Sequence, residues 1–129
     1  GILWTYNKKF LAEKAVSKLS ELADKKNLSE IERDSLILRF QFSFEILWKC
    51  GKEFLQEEHG LIFASPKRII RAFRETGYFS DEETELLLQA SDDRNLTAHI
   101  YDEKKSAEIA LRIKKYFPLL QKWLKIINS

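Results

Sequence analysis

Apolar residues recur every three to four positions along most of the chain, which is the period of an amphipathic α-helix. Five helical segments are predicted, with short breaks between them. Their expected limits are about Trp4–Lys25, Glu30–Glu58, Ser65–Gly77, Ser80–Asp93 and a last stretch from Glu103 or Ser106 to Ile127. The Ser65 side chain is expected to cap the third helix, and Pro118 to kink or divide the last, because proline lacks a backbone N–H. The pattern predicts an all-α protein, an antiparallel up-down four-helix bundle with an extra short helix.

Two helical segments carry clear apolar faces. In the second segment the face consists of Leu36, Phe40, Phe44, Leu47 and Trp48. These positions share one side of a helix, so we expect Phe40, Phe44, Leu47 and Trp48 to be largely buried in the bundle or at a subunit contact. The first segment has an apolar side formed by Phe10, Leu11, Ala15, Leu19, Leu22 and Ala23. Gly51 extends the stripe of the second segment, where a missing side chain would let another helix approach closely.

Composition narrows the class of protein. The 129 residues are 44% hydrophobic, which suits one folded domain over residues 1–129. The 22 basic and 20 acidic residues leave a net charge of +2, so any nucleic-acid surface must come from local clustering. Cys50 is the only cysteine, which excludes an internal disulfide and a multi-cysteine zinc site. With no apolar run of about 20 residues, a cytoplasmic protein with no membrane partner is expected.

The stretch from Asp92 to Asp102 is unusually polar for a helix. In a helix, Asn95 and His99 would be i,i+4 neighbours, whereas Arg94 would lie about 140° around the axis from His99 at about 100° per residue. Arg94 and His99 could then meet only across a symmetric dimer, or if the helix ended between them. Spacing alone favours a simpler interpretation, a helix end with ion pairs to Asp92, Asp93 or Asp102.

The motif Arg94-Asn95-Leu96-Thr97-Ala98-His99-Ile100-Tyr101 resembles the signature of the HEPN superfamily (higher eukaryotes and prokaryotes nucleotide-binding). More narrowly, the chain resembles the nucleotidyltransferase substrate-binding proteins, which are encoded beside a minimal nucleotidyltransferase. Such pairs are now largely interpreted as toxin–antitoxin modules. The resemblance spans about residues 30 to 116. It includes Arg33-Asp34, the stretch from Arg39 to Lys49, Ser65-Pro66-Lys67 and Ala72-Phe73.

This resemblance implies a metal-independent endoribonuclease that acts as a toxin and pairs with the nucleotidyltransferase of a neighbouring gene. In that case His99 transfers protons, Arg94 binds phosphate oxygens, and Asn95 orients His99 or binds phosphate. A homodimer would supply the second histidine that an acid–base pair needs. Tyr101 is the family position of nucleotidylation by the partner enzyme.

Other interpretations stay open. The alternative is a non-catalytic subunit that binds nucleotide or substrate for the transferase, and a third is a purely structural helical adaptor. Lys67, Arg68, Arg71 and Arg74 form a basic row that either faces solvent or contacts RNA phosphates or an acidic partner. We expect Cys50 to be a buried apolar residue. No ligand spacing points to a metal site, and no cofactor is implied.

Overall fold

A computed structural model of the chain describes residues 2–95 and 101–129, with side chains from residue 7 onward. These residues form five helices and contain no strand. The helices are α1 (Ile2–Ala23), α2 (Glu30–His59), α3 (Pro66–Glu75), α4 (Asp81–Arg94) and α5 (Glu103–Ile127). The predicted all-α bundle with one extra short helix is therefore confirmed.

Three long helices, α1, α2 and α5, pack against one another, and the shorter α3 and α4 pack on α2 and α5. Ion pairs between α1 and α2 show that the two helices are antiparallel. Lys8 near the start of α1 lies 2.7 Å from Glu53 near the end of α2. Lys25, just after α1, pairs with Glu32 at the start of α2. α2 is thus the element that the other four helices contact.

The predicted stripe on α2 forms the centre of the core. Phe40, Phe44 and Leu47 are completely buried, and Trp48 is half-buried against the same cluster. Phe40 packs on Tyr116 of α5, with ring centres 5.9 Å apart, and Phe44 packs edge-on against Trp123 of the same helix. Aromatic side chains of this size dominate the burial energy of a small core. The burial expected from the apolar spacing is confirmed.

Gly51 lies where two aromatic rings come close to α2. A Cβ at this position would be 3.0 Å from Phe73 Cε2 and 3.2 Å from Trp123 Cζ2. Contacts this short force a neighbouring ring to move, so only glycine fits without rearrangement. The space that the sequence predicted at Gly51 is therefore used by aromatic side chains of α3 and α5.

Local sequence signals explain where α2 and α4 begin and where α3 ends. Ser29 and Glu32 form a reciprocal capping box at the start of α2, and Ser80 and Glu83 form another at the start of α4. Gly77 follows α3 with φ 89°, a left-handed conformation that favours glycine. The expectation that the Ser65 side chain caps α3 was wrong, since it makes no capping hydrogen bond.

Two other expectations need correction. Pro118 was expected to kink or divide the last helix, and the structure excludes the division, since α5 continues through Pro118. Pro118 lies on the exposed side of the bundle, where water can bond the carbonyl that loses its N–H partner. On α1, Phe10 and Leu11 belong to the apolar side predicted from the sequence, but both are exposed. The remainder of that apolar side, from Ala15 onward, is buried as predicted.

Candidate functional site

Arg94 is the last residue of α4, and its side chain lies against α2. Its Nη1 donates to Glu45 Oε2 over 2.9 Å, and its guanidinium carbon lies 5.4 Å from the centre of the Phe44 ring. Glu45 Oε1 is also 3.4 Å from the Nζ of Lys49, one helical turn along α2. A planar guanidinium suits both contacts, because it pairs with a carboxylate and stacks on an aromatic face. Arg94 is therefore held in place by α2.

The neighbouring Asp93 is buried, with 4% of its surface exposed. It accepts hydrogen bonds from Arg112 Nε over 2.7 Å, from Arg112 Nη2 over 3.0 Å and from the hydroxyl of Tyr116 over 2.5 Å. Burial, followed by the bond to Asp93, raises the pKa of Tyr116 above its usual value. The bond to Asp93 also raises the pKa of Arg112. Asp93, Arg112 and Tyr116, called here the Asp93 cluster, join the end of α4 to α5.

This arrangement differs from the simpler interpretation of the sequence, in which Arg94 pairs with a neighbouring aspartate. Asp93 faces α5 and binds Arg112, while the exposed Asp92 pairs with Lys67 over 2.7 Å. Arg94 points the other way, to Glu45. Consecutive residues at the end of α4 thus contact three different helices, which fixes the position of this end of the motif.

The rest of the motif follows from the end of α4. Asn95 is the C-cap, is exposed, and donates its backbone N–H to the carbonyls of Asp92 and Asp93. His99 lies outside the described residues, so its predicted role stays a prediction. Tyr101 is 96% exposed. It directly precedes Asp102, whose side chain caps α5 by accepting from the N–H of Lys105. A phenol this exposed is accessible to another protein.

The four residues of the basic row all lie on α3, beside the motif at one end. Lys67 reaches Asp92, two positions before Arg94. Arg68 lies 5.0 Å from the centre of the Phe63 ring, and Arg74 is 3.9 Å from Asp81. Arg71 is exposed on the same helix. Two of the four cations therefore already have an acidic neighbour, so an RNA phosphate would have to compete for them.

Neither Cys50 nor a metal ion adds to this candidate site. Cys50 is buried, and burial raises the pKa of its thiol to about 11, so the thiolate that a nucleophile needs is scarce at neutral pH. The expectation that it packs as an apolar residue is confirmed. In the part of the chain that the structure describes, no three potential ligand side chains group together in a way that could hold a metal ion.

The helical bundle, with an arginine fixed at the end of α4 and the polar motif after it, defines a HEPN-like protein. Residues 9–129 match the family described as nucleotidyltransferase substrate binding protein like. The chain belongs to this family, which is part of the HEPN-related superfamily, and the resemblance found in the sequence is confirmed.

A solved structure supports the same fold. The crystal structure of a protein from Thermus thermophilus superposes with a TM-score of 0.88 at 42% sequence identity. The match covers 92% of this chain and 99% of that chain. Among curated proteins, none matches this sequence significantly. Over the helices that the structure describes, none is long and apolar enough to cross a lipid bilayer.

Proposed function

We propose that this chain is the toxin-type partner of a minimal nucleotidyltransferase encoded by a neighbouring gene. Its activity is metal-independent cleavage of RNA by Arg94, Asn95 and His99, and transfer of a nucleotidyl group to Tyr101 silences it. The observation that carries the proposal is the exposed Tyr101 close to Arg94 in sequence, in a chain that belongs to a nucleotidyltransferase-associated family.

The exposure of Tyr101 fits the role of an acceptor. Its phenol oxygen attacks the α-phosphorus of a nucleoside triphosphate, the bond to the leaving pyrophosphate breaks, and the phenolic proton goes to a base of the transferase or to water. A second protein must reach that oxygen from outside, which a 96% exposed side chain permits. The attached nucleotide adds negative charge and bulk beside the motif, so it competes with RNA phosphate for the same cations.

Cleavage of RNA needs a base, an acid and a cation. The 2′-hydroxyl gives its proton to one imidazole as its oxygen attacks the adjacent phosphorus. The bond from phosphorus to the 5′-oxygen breaks, and that oxygen takes a proton from a second, protonated imidazole. The products are a 2′,3′-cyclic phosphate and a 5′-hydroxyl. Arg94 binds the oxygens that gain charge in the transition state.

One motif histidine per chain requires a homodimer for this reaction. We place the two-fold axis near the segment from Arg94 to His99, so that each copy supplies one imidazole. A two-fold contact is also the commonest way for identical chains to pair. The basic row on α3 then extends from the motif along each copy, where Lys67, Arg68, Arg71 and Arg74 can bind RNA phosphates.

One observation favours the alternative, a non-catalytic subunit that binds nucleotide or substrate for the transferase. Arg94 is ion-paired with Glu45, so part of its charge is already compensated. An arginine whose charge is already partly compensated is suited to binding and positioning a ligand without catalysis. The family description also names substrate binding. The two functions differ in whether RNA is cut, which an experiment can decide.

The deciding experiment is cleavage of a labelled RNA pool by protein purified without the transferase. The wild-type protein should cleave, and EDTA should not change the rate. His99→Ala should reduce the rate by about 10²–10⁴, the usual contribution of a general acid–base group. The matched control is His59→Ala, because His59 is exposed and lies at the end of α2. A wild-type protein that cleaves nothing, or full activity in His99→Ala, would refute the ribonuclease and leave the binding subunit.

The arginine needs a milder change. Arg94→Lys keeps a positive charge near Glu45 but loses the planar fork, so cleavage should fall while the fold is retained. Arg94→Ala would also leave Glu45 without its partner, so its effect on stability must be measured by thermal melting in parallel. A normal cleavage rate in Arg94→Lys would show that the planar guanidinium has no role in the transition state.

The modification is tested separately. The protein is incubated with the transferase and ATP, and the modified residue is located by mass spectrometry. Tyr101→Phe should stay unmodified and should keep cleaving RNA in the presence of the transferase. Tyr78→Phe is the control, because Tyr78 is half-buried and its hydroxyl lies 2.9 Å from His59 Nε2. Modification of Tyr101→Phe at another residue would exclude Tyr101 as the acceptor.

A further inference from the structure

An open groove of about 540 Å³ runs between α1 and α2, and none of the described residues that line it belongs to α4. Leu11 of α1 and Leu38 and Phe42 of α2 provide its apolar surface. Leu38 is 65% exposed and Phe42 is 55% exposed. Ile31, on the same side of α2, is also exposed and extends the apolar strip beyond the groove. We call this surface the α1–α2 groove.

Exposed apolar side chains lower the solubility of a protein, and these side chains add little to the buried core. A lone exposed leucine is ordinary, but several large apolar side chains on one face of two adjacent helices indicate an interaction surface. The position of α1 over α2 is fixed, because the Arg39 guanidinium donates to the Lys18 carbonyl over 2.6 Å and to Glu21 over 3.1 Å. The groove is therefore built into the packing of the two helices.

The sides of the groove are basic. Lys14 and Lys18 line it, and neither side chain makes an ion pair with any residue that the structure describes. Arg39 also lines it, but Glu21 compensates its charge. The groove thus combines an apolar floor with two uncompensated ammonium groups along the α1 side. A complementary occupant needs an apolar face with carboxylates beside it.

We propose that the α1–α2 groove is the docking site for an amphipathic helix of the partner nucleotidyltransferase, with acidic side chains flanking the apolar face of that helix. The proposal rests on the proposed pairing with the transferase. A helix laid into a groove between two helices buries a row of apolar anchors at i, i+3 or i+4 and i+7, which is a common mode of recognition. Leu38 and Phe42, one turn apart on α2, are suited to contact such a row.

Charge argues against a second copy of this chain as the occupant. A two-fold contact through the groove would bring Lys14 and Lys18 of both copies to one interface. Like charges brought together at an interface repel each other, and each must also lose part of its water shell. Both effects disfavour that pairing. An acidic helix gains from the same lysines. The described residues that line the groove also belong to α1 and α2, and none belongs to α4, which ends at Arg94.

The test measures binding of the purified nucleotidyltransferase from the neighbouring gene by isothermal titration calorimetry. The double variant Leu38→Gln with Phe42→Gln should weaken binding at least tenfold, because both side chains are contact anchors. Both positions are exposed, so thermal melting should change little. The matched control is Ile62→Gln, an equally exposed apolar residue in the loop after α2.

A second pair of variants tests the charge. Lys14→Glu with Lys18→Glu should weaken binding at least tenfold at low ionic strength and less at high ionic strength. The control is Lys115→Glu with Lys125→Glu, two exposed lysines on α5. Equal binding by the lysine variants and their control would overturn the acidic occupant.

The outcomes separate this proposal from the proposed function. If the wild type binds the transferase and the groove variants bind equally well, the docking site is wrong and the pairing stands. If the wild type does not bind the transferase, both are wrong. If Leu38→Gln with Phe42→Gln converts a dimer into a monomer in light scattering and leaves transferase binding unchanged, the occupant is a second copy and the proposal is overturned.

Discussion

Removal of the Asp93 carboxylate tests how the end of α4 is held. Asp93→Ala leaves the Tyr116 hydroxyl, in a completely buried residue, without its acceptor. It also removes both hydrogen bonds that Asp93 accepts from Arg112. Arg112 itself retains access to water, since 31% of its side chain is exposed. The change therefore isolates one buried hydroxyl and partly releases one cation.

The magnitude follows from these contacts. Breaking a buried ion pair costs about 3–5 kcal/mol, and an unsatisfied buried hydroxyl alone costs about 1–3 kcal/mol. Because Arg112 can regain water, the lower part of the first range applies, and we expect a loss of about 3 kcal/mol. For 129 residues the unfolding entropy is about 270 cal/mol/K, so Tm should fall by about 11 °C.

The assay is thermal unfolding by circular dichroism, and the control is the adjacent Asp92→Ala. Asp92 also makes an ion pair, with Lys67, but 64% of its side chain is exposed. Exposed pairs contribute about 0–1 kcal/mol, so Tm of the control should fall by less than about 4 °C. If the two variants melt within about 3 °C of each other, the Asp93 cluster does not hold α4 to α5 as we argue.

Three further predictions concern other parts of the fold. The pKa of Tyr116 is raised in the folded state, so the Tyr116 hydroxyl loses its proton at a lower pH in the unfolded state. The free energy of unfolding should therefore fall as pH rises above about 10. Tyr116→Phe should flatten that part of the stability–pH curve, measured by urea unfolding. Gly51→Val should lower Tm by about 7–11 °C, since overpacking costs about 2–3 kcal/mol, and adding Phe73→Leu should recover part of the loss. Lys25 and the Ser29 cap lower the pKa of Glu32 from 4.5 to about 2, so its contribution to stability should disappear between those pH values in acid unfolding, and Glu32→Gln should show no such step.

Local signals in the sequence were sufficient for the fold. The capping boxes at Ser29 and Ser80 set the starts of α2 and α4, since a side chain that satisfies backbone N–H groups works within one helical turn. The i, i+4 spacing of Phe40 and Phe44 identified the buried face of α2. Pro118 was one exception, because its effect depends on whether water can reach the backbone of α5, which local sequence does not specify.

The contacts around the motif could not be predicted in this way. Asp93 binds residues 19 and 23 positions away, and the partner of Arg94 is 49 positions away. Such pairs depend on which faces of α2, α4 and α5 meet, and a single sequence does not state this. One signal was present: Tyr116 lies in the apolar stripe of α5, and Arg112 precedes it by one helical turn, so a buried polar partner was to be expected.

The exposed apolar residues of α1 and α2 show a second limit of prediction from the sequence, which is that periodicity does not separate the core from a binding surface. Periodicity places Leu11 on the apolar side of α1 with the buried Ala15 and Leu19, yet Leu11 lines an open groove with Leu38 and Phe42. An apolar residue satisfies the helical pattern whether it faces the core or a surface intended for another protein. Phe42 is followed one turn later by Glu45, which holds Arg94. A partner in the groove would therefore contact the same helix, within one turn, that positions the arginine of the motif.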